Sequence, residues 1–269
     1  MSTIHMSSLT LPTISQRQSF SSFPNSKPID STRIKASPIE AEAEQELKRK
    51  IEMRVCTNRT CRKQGSLDTL QVLSGIAPPY VTVNSCGCLG HCGAGPNVVV
   101  LPDAVFVKHC GTASRAAEIM TFVCLGKRDD VEGESRKSLE ALALRKRAED
   151  EMSNGNFSEA HSLLSQAIDL KPFGGVHIIL KDRSAAELAM GNLADALDDA
   201  KEALTIAPNY PEGYICQGDA LMAADQVDAA DKSYSMALEL DPSIRRSKSF
   251  KFQARIAKLK EKLALANLE

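Results

Sequence analysis

The sequence contains no tryptophan, and aromatic residues make up only 4% of its 269 positions. That scarcity argues against a large aromatic-lined pocket. No apolar run approaches the roughly 18 residues needed to span a bilayer. A P-loop, a G-x-S-x-G elbow, an H-E-x-x-H pair and a C-x-x-C pair are all absent, which removes the local signatures of common NTPases, hydrolases and dithiol oxidoreductases. Only five histidines occur, and no pattern assembles a general acid–base pair. Cys110, Cys124 and Cys216 fall in strand or helix patterns, where a buried thiol is commoner than a nucleophile. Five of the eight cysteines lie between Cys56 and Cys92, a spread unlike the disulfide framework of a small secreted domain. These absences predict a chain that binds or carries rather than catalyses, with no catalytic residues of its own.

The formal net charge of −1 conceals strong segregation. Residues 1–36 hold nine serines, four basic residues and one acid, Asp30. A Ser-rich, acid-poor start without an apolar core is the composition of an organelle transit peptide. Ile34-Lys35-Ala36 resembles a stromal processing site, so the mature protein is expected in the chloroplast, in the stroma or associated with thylakoids. Residues 37–50 are a charged lead-in. Residues 51–126 are expected to form a small α/β domain, 127–140 a linker, 141–242 an all-helical array and 243–269 a basic capping helix.

In the α/β segment, Ile51–Val55 alternates as a strand, and Thr60 is a plausible cap for a helix from Cys61 to about Ser74. Pro78-Pro79 breaks the chain before the strand-like Tyr80–Val83. Strands over 98–101 and 105–108 and a helix from Thr112 to about Leu125 follow. The thiols occur in two spaced pairs, Cys56 with Cys61 and Cys88 with Cys92, the second within a Gly-rich loop that also holds Cys86. Two loop-borne pairs can supply four thiolates to an iron–sulfur cluster or to zinc; a redox disulfide is the third reading. His91 is taken as an exposed neighbour of the site.

Residues 53–125 resemble the thioredoxin-like 2Fe–2S ferredoxins. The resemblance rests on Val55-Cys56, Cys61, Arg62, Gly65-Ser66, Cys88-Leu89-Gly90-His91-Cys92 and Gly95-Pro96-Asn97-Val98. It implies a thioredoxin-like fold and a 2Fe–2S cluster held by Cys56, Cys61, Cys88 and Cys92, with zinc as the alternative.

From Ala141 the chain repeats. Gly155-Asn156-Phe157-Ser158-Glu159-Ala160 returns as Gly191-Asn192-Leu193-Ala194-Asp195-Ala196, and again without glycine as Asp225-Gln226-Val227-Asp228-Ala229-Ala230. Prolines close the units at Pro172, Pro208 and Pro242, and Phe173-Gly174-Gly175 accounts for a two-residue insertion. The period, with Ala160/Leu164/Ala167, Ala196/Ala200/Ala203 and Ala230/Tyr234/Ala237, resembles the tetratricopeptide repeat (TPR). The resemblance implies an all-α solenoid of three stacked helix pairs, capped by 243–269, that binds a protein client.

Residues 138–242 hold 19 acids and 8 bases, whereas 243–269 hold 8 bases and 2 acids. The basic cap suits peripheral contact with an anionic membrane, while the lack of interleaved aromatics argues against nucleic acid. Some three-repeat modules clamp the acidic tail of heat-shock chaperones with Lys and Asn on their first helices. The matching positions here are Arg145, Glu149, Asp182, Glu212 and Cys216, mostly of the wrong charge. Arg145, Glu149, Asp182, Arg183, Glu212 and Tyr214 are therefore the expected groove for a basic or neutral client segment, with acidic chaperone tails excluded. The expected whole is a plastid 2Fe–2S adaptor for assembly or redox-linked regulation of a photosynthetic complex. An electron carrier docked by its repeats, or a metal-free or zinc-stabilised scaffold, are the alternatives.

Overall fold

β-branched residues recurring over 51–107 build four short strands: β1 (Ile51–Cys56), β2 (Val81–Cys86), β3 (Val98–Leu101) and β4 (Val105–Val107). The computed structural model describes residues 50–126 and 130–246. The expected transit peptide, nearly all of the lead-in and most of the basic cap lie outside the described residues. The strands pair in the order β2-β1-β3-β4. β1 and β2 run parallel, with Ile51 opposite Val81 and Cys56 opposite Cys86, whereas β3 is antiparallel to both β1 and β4. A parallel pair needs a crossover, supplied by α1 (Arg59–Lys63) and α2 (Ser66–Ile76). The single helix expected from Cys61 is thus two. Asn58, not Thr60, caps the first by accepting the Arg59 N–H, and Gly65 at φ +91° turns the chain between them, a conformation that costs glycine nothing sterically. The crossover and α3 (Ala113–Leu125), capped by Thr112, enclose a core of Met53, Val55, Leu73, Ile76, Val98, Ala116, Ala117 and Met120.

Within the linker expected over 127–140, the next helix already begins at Val131. α4 runs Val131–Ser153, with the Asp130 carboxylate accepting from the Gly133 N–H. Its first half carries Leu139 and Leu142, which pack into the sheet-domain core together with Phe173. Its second half carries Ala148, fully buried among Ala160, Leu163 and Leu164. One helix therefore belongs to two cores. The insertion after Pro172 completes the joint. The Gly175 N–H donates to the Ala77 carbonyl at 3.1 Å, and a Cβ at Gly174 would lie 2.3 Å from the Ile76 carbonyl oxygen. Glycine is required there because backbone meets backbone.

α4 pairs with α5 (Phe157–Asp169), α6 (Val176–Met190) with α7 (Leu193–Ile206), and α8 (Pro211–Ala223) with α9 (Val227–Leu240). Each turn within a pair is closed the same way. The N–H groups of Asn156, Asn192 and Gln226 donate to the carbonyls of Glu151, Glu187 and Leu221 at 2.9, 3.0 and 2.9 Å. Gly155 and Gly191 take left-handed backbone before those residues, and Asp225 (φ +59°) does so in the third turn; aspartate tolerates that region better than most residues. Ala160, Ala167, Ala196, Ala200, Ala203, Ala230 and Ala237 are all buried, which lets the paired helices approach closely. At Gly218 a Cβ would stand 2.6 Å from the Tyr234 ring. Among the described residues no helix is long and apolar enough to cross a membrane.

Candidate functional site

The first helices of the three pairs are joined side by side through polar contacts. Arg145 on α4 donates from Nε to Asp182 Oδ2 on α6 at 2.6 Å, and also bonds Glu149 one turn along its own helix. The other oxygen of Asp182 takes Lys181. Asp182 is almost wholly buried, with 5% of its side chain exposed against 16% for Arg145. A buried carboxylate needs such partners, because an unpaired charge there would cost several kcal/mol, on the order of 3–5. On α8 the Cys216 thiol donates to the Lys181 carbonyl at 3.7 Å. Burial pushes this thiol up to about 12, so it serves as a protonated donor.

Tyr210, immediately before α8, meets His177 of the first α6 turn edge-on at 5.0 Å. Burial, then the charges of Glu212 and Asp182, push the Tyr210 hydroxyl well above its ordinary range. Burial, helped by Arg145, pulls His177 down to about 4, so its ring is neutral at neutral pH. Glu212 is exposed and Tyr214 half-buried on α8.

Of the expected groove residues, Arg145, Glu149 and Asp182 are in direct contact, and Glu212 is close enough to act on Tyr210 and Cys216. Arg183 is elsewhere. One residue beyond Asp182 it is turned about 100° around the helix, toward the second helices. There it grips Asp199 of α7 through two bonds of 2.7 Å and reaches Ser165 of α5 at 3.3 Å. It braces the stack instead of lining the groove. Lys181, His177 and Tyr210 join the site without having been expected. The available signals were the Lys181-Asp182 adjacency and a tyrosine just before Pro211 in a chain poor in aromatics.

The thiols of the sheet domain sort into two environments. Cys56, at the end of β1, and Cys61, in α1, are each 1% exposed. Burial opposes ionisation of Cys56, but backbone hydrogen bonds at Asn58 and Leu89 and the Cys61 thiol outweigh it and hold it below the ordinary thiol value. Cys61 is pushed up by burial and by Cys56. Cys88 and Cys92 are exposed, with their Sγ atoms 3.5 Å apart. The hydrogen bond with Cys88, and its charge, push the Cys92 thiol up. Cys86, at the end of β2, is partly covered and raised by burial.

No family model matches the chain. It is 35% identical over 91 residues to the Protein STIP1 homolog of Dictyostelium discoideum, a match covering 34% of this chain and 16% of that protein. To the Hsp70-Hsp90 organizing protein of Triticum aestivum it is 35% identical over 91 residues, covering 34% of this chain and 15% of that protein. The chain thus spans about a sixth of the length of these relatives. Among solved structures, the first TPR of Spaghetti (RPAP3) bound to HSP90 peptide SRMEEVD is 24% identical with a TM-score of 0.41, covering 47% of this chain and 94% of that one. The Sgt2 TPR domain from Aspergillus fumigatus is 25% identical with a TM-score of 0.43, covering 48% and 83%.

The 2Fe–2S cluster expected on Cys56, Cys61, Cys88 and Cys92, and the zinc alternative, require correction. Among the described residues no group of three or more His, Cys, Asp or Glu side chains is placed to hold a metal ion. Cys56 and Cys61 are buried while Cys88 and Cys92 are exposed, and a single four-thiolate centre needs all four turned to one point. The Triticum aestivum relative, moreover, is named for organising Hsp70 and Hsp90 and not for a cofactor. No enzyme name occurs among those relatives, in keeping with the absence of a catalytic site expected from the sequence. Residues 50–126 form a small α/β sheet domain. The helical half of the chain is a stack of three helix pairs with the tetratricopeptide-repeat pattern.

Proposed function

We propose that the chain is a plastid adaptor whose α4–α6–α8 groove takes an extended client segment of basic or neutral charge. The observation that carries this reading is the position of Asp182. It is a nearly buried carboxylate on α6, the middle of the three first helices, onto which Arg145 and Lys181 are drawn. Recognition of an acidic tail needs cations whose donors face the ligand. Here Arg145 gives its Nε and one terminal nitrogen to Asp182 and Glu149, and Glu212 adds a further negative charge from α8. An incoming carboxylate meets like charge, whereas a basic side chain meets complementary potential that also speeds encounter. The excess of 19 acids over 8 bases in 138–242 acts in the same direction.

The similarity to Hsp70-Hsp90 organizing proteins supports the adaptor role. The charge of the groove supports a different ligand from an acidic chaperone tail. The Ser-rich, acid-poor start supports the plastid location, and on that location rests the finer reading of a client in a photosynthetic complex or its assembly machinery. The test is capture from plastid extract followed by cross-link mapping. A client joined to α8 through a basic or neutral segment, and lost with Glu149→Lys plus Glu212→Lys, is the expected result. A client joined through an acidic C-terminal tail would overturn the reading.

A further inference from the structure

We propose that Cys88 and Cys92 form a thiol–disulfide exchange site that takes low-molecular-weight disulfides such as oxidised glutathione. The two sulfurs stand 3.5 Å apart on the surface, and a disulfide bond is about 2.05 Å long, so roughly 1.5 Å must close. The loop can supply that movement on the Cys88 side. A Cβ added at Gly87 or Gly90 would meet nothing within 4 Å, and Cys88 and Gly90 are exposed. The Cys92 side is held. The His91 carbonyl accepts from Asn97 Nδ2 at 2.8 Å and from the Ala94 N–H at 3.1 Å, the His91 ring lies against Phe106 at 4.8 Å, and Cys92 opens a short 3₁₀ turn to Ala94.

The Gly90 N–H donates to Cys88 Sγ at 3.4 Å, and Cys88 sits on the exposed, movable side of the loop. Cys88 is therefore the attacking thiol. Its Sγ bonds to one sulfur of the incoming disulfide, the S–S bond of that disulfide breaks, and the first thiol leaves with a proton. Cys92 then gives up its proton, attacks Cys88 Sγ and displaces the second thiol. Two protein thiols are oxidised by two electrons, one external disulfide is reduced to two thiols, and both protons leave with them. The remaining thiols compete poorly. Cys56, Cys61 and Cys110 are buried, and burial pushes Cys110 and Cys124 up to about 11.

The full chain, reduced and then incubated with oxidised glutathione, is trapped with an alkylating agent and mapped by mass spectrometry. The expected result is a bridge between Cys88 and Cys92, with the mass of two hydrogens lost and restored by reduced glutathione. Cys92→Ser should accumulate the mixed disulfide at Cys88, because the resolving thiol is gone. Both residues are exposed, and matching circular dichroism of variant and native chain establishes that the fold is kept. A Cys88 bridge to Cys56 or Cys86, or full alkylation of Cys88 and Cys92 after oxidised glutathione, would overturn the proposal.

Discussion

Alanines used many times hold the repeat helices together, whereas the sheet domain closes around larger side chains used once each. Ala196, Ala200 and Ala203 are fully buried in the second repeat alone. Met53, Leu73, Ile76, Val98 and Met120 have no such recurrence in the first half. Stability in a stacked array is spread over many small interfaces, while a single core concentrates it. The boundary falls on α4, which lends Leu139 and Leu142 to the sheet-domain core and Ala148 to the repeats. A disturbance at the concentrated core should therefore be felt along the array, and the reverse much less.

The largest effect separating the two halves is expected at Leu142. It is buried at the joint, with its Cδ1 only 2.6 Å from where a Cβ at Gly75 would lie. Leu142→Ala should cost about 2–5 kcal/mol and lower the midpoint for both halves in urea unfolding followed by circular dichroism. Ala200→Gly in the array should cost only about 1 kcal/mol. Separate transitions for sheet and helix signals in the native chain would break the idea of a shared core.

A smaller difference is expected in pH dependence, which the repeats carry through His177. Its folded-state pKa is depressed from 6.5 to about 4, so the folded state binds the proton less readily than the unfolded chain. The stability supported by the neutral ring is complete above about pH 6.5 and is lost as pH falls through about 4. The loss should be on the order of 3 kcal/mol, and His177→Phe should flatten that part of a stability–pH profile. An unchanged profile in the variant would assign the acid sensitivity to other groups.

The difference between the halves also governs how much could be read from the sequence. The helix pairs were legible because the same constraint recurs. Turn residues at 155, 191 and 225 and small residues at 160, 196 and 230 must satisfy one geometry three times. The order of strands and helices in 51–126 was legible from β-branched runs and proline breaks. The division at Gly65 was not, because a left-handed glycine between two helical stretches is set by how the crossover meets the sheet. The role of α4 was not legible either, since the charged run 127–140 has the composition of a linker and hides Leu139 and Leu142. Within the site, residue choice by repeat alignment found Asp182 but also drew in Arg183, whose side chain leaves on the other side of the helix. For the thiols, spacing revealed two pairs. It did not reveal that one is buried and the other exposed.

The face built on Asp182 should disfavour acidic ligands. Calorimetric titration of the full chain with an acidic chaperone C-terminal peptide, and with the same peptide carrying Lys in place of each Glu and Asp, tests it most directly. No measurable heat is expected with the acidic peptide, and salt-sensitive binding is expected of the lysine version, weakened by Glu149→Lys plus Glu212→Lys. Tight binding of the acidic peptide, with none of the lysine version, would contradict it.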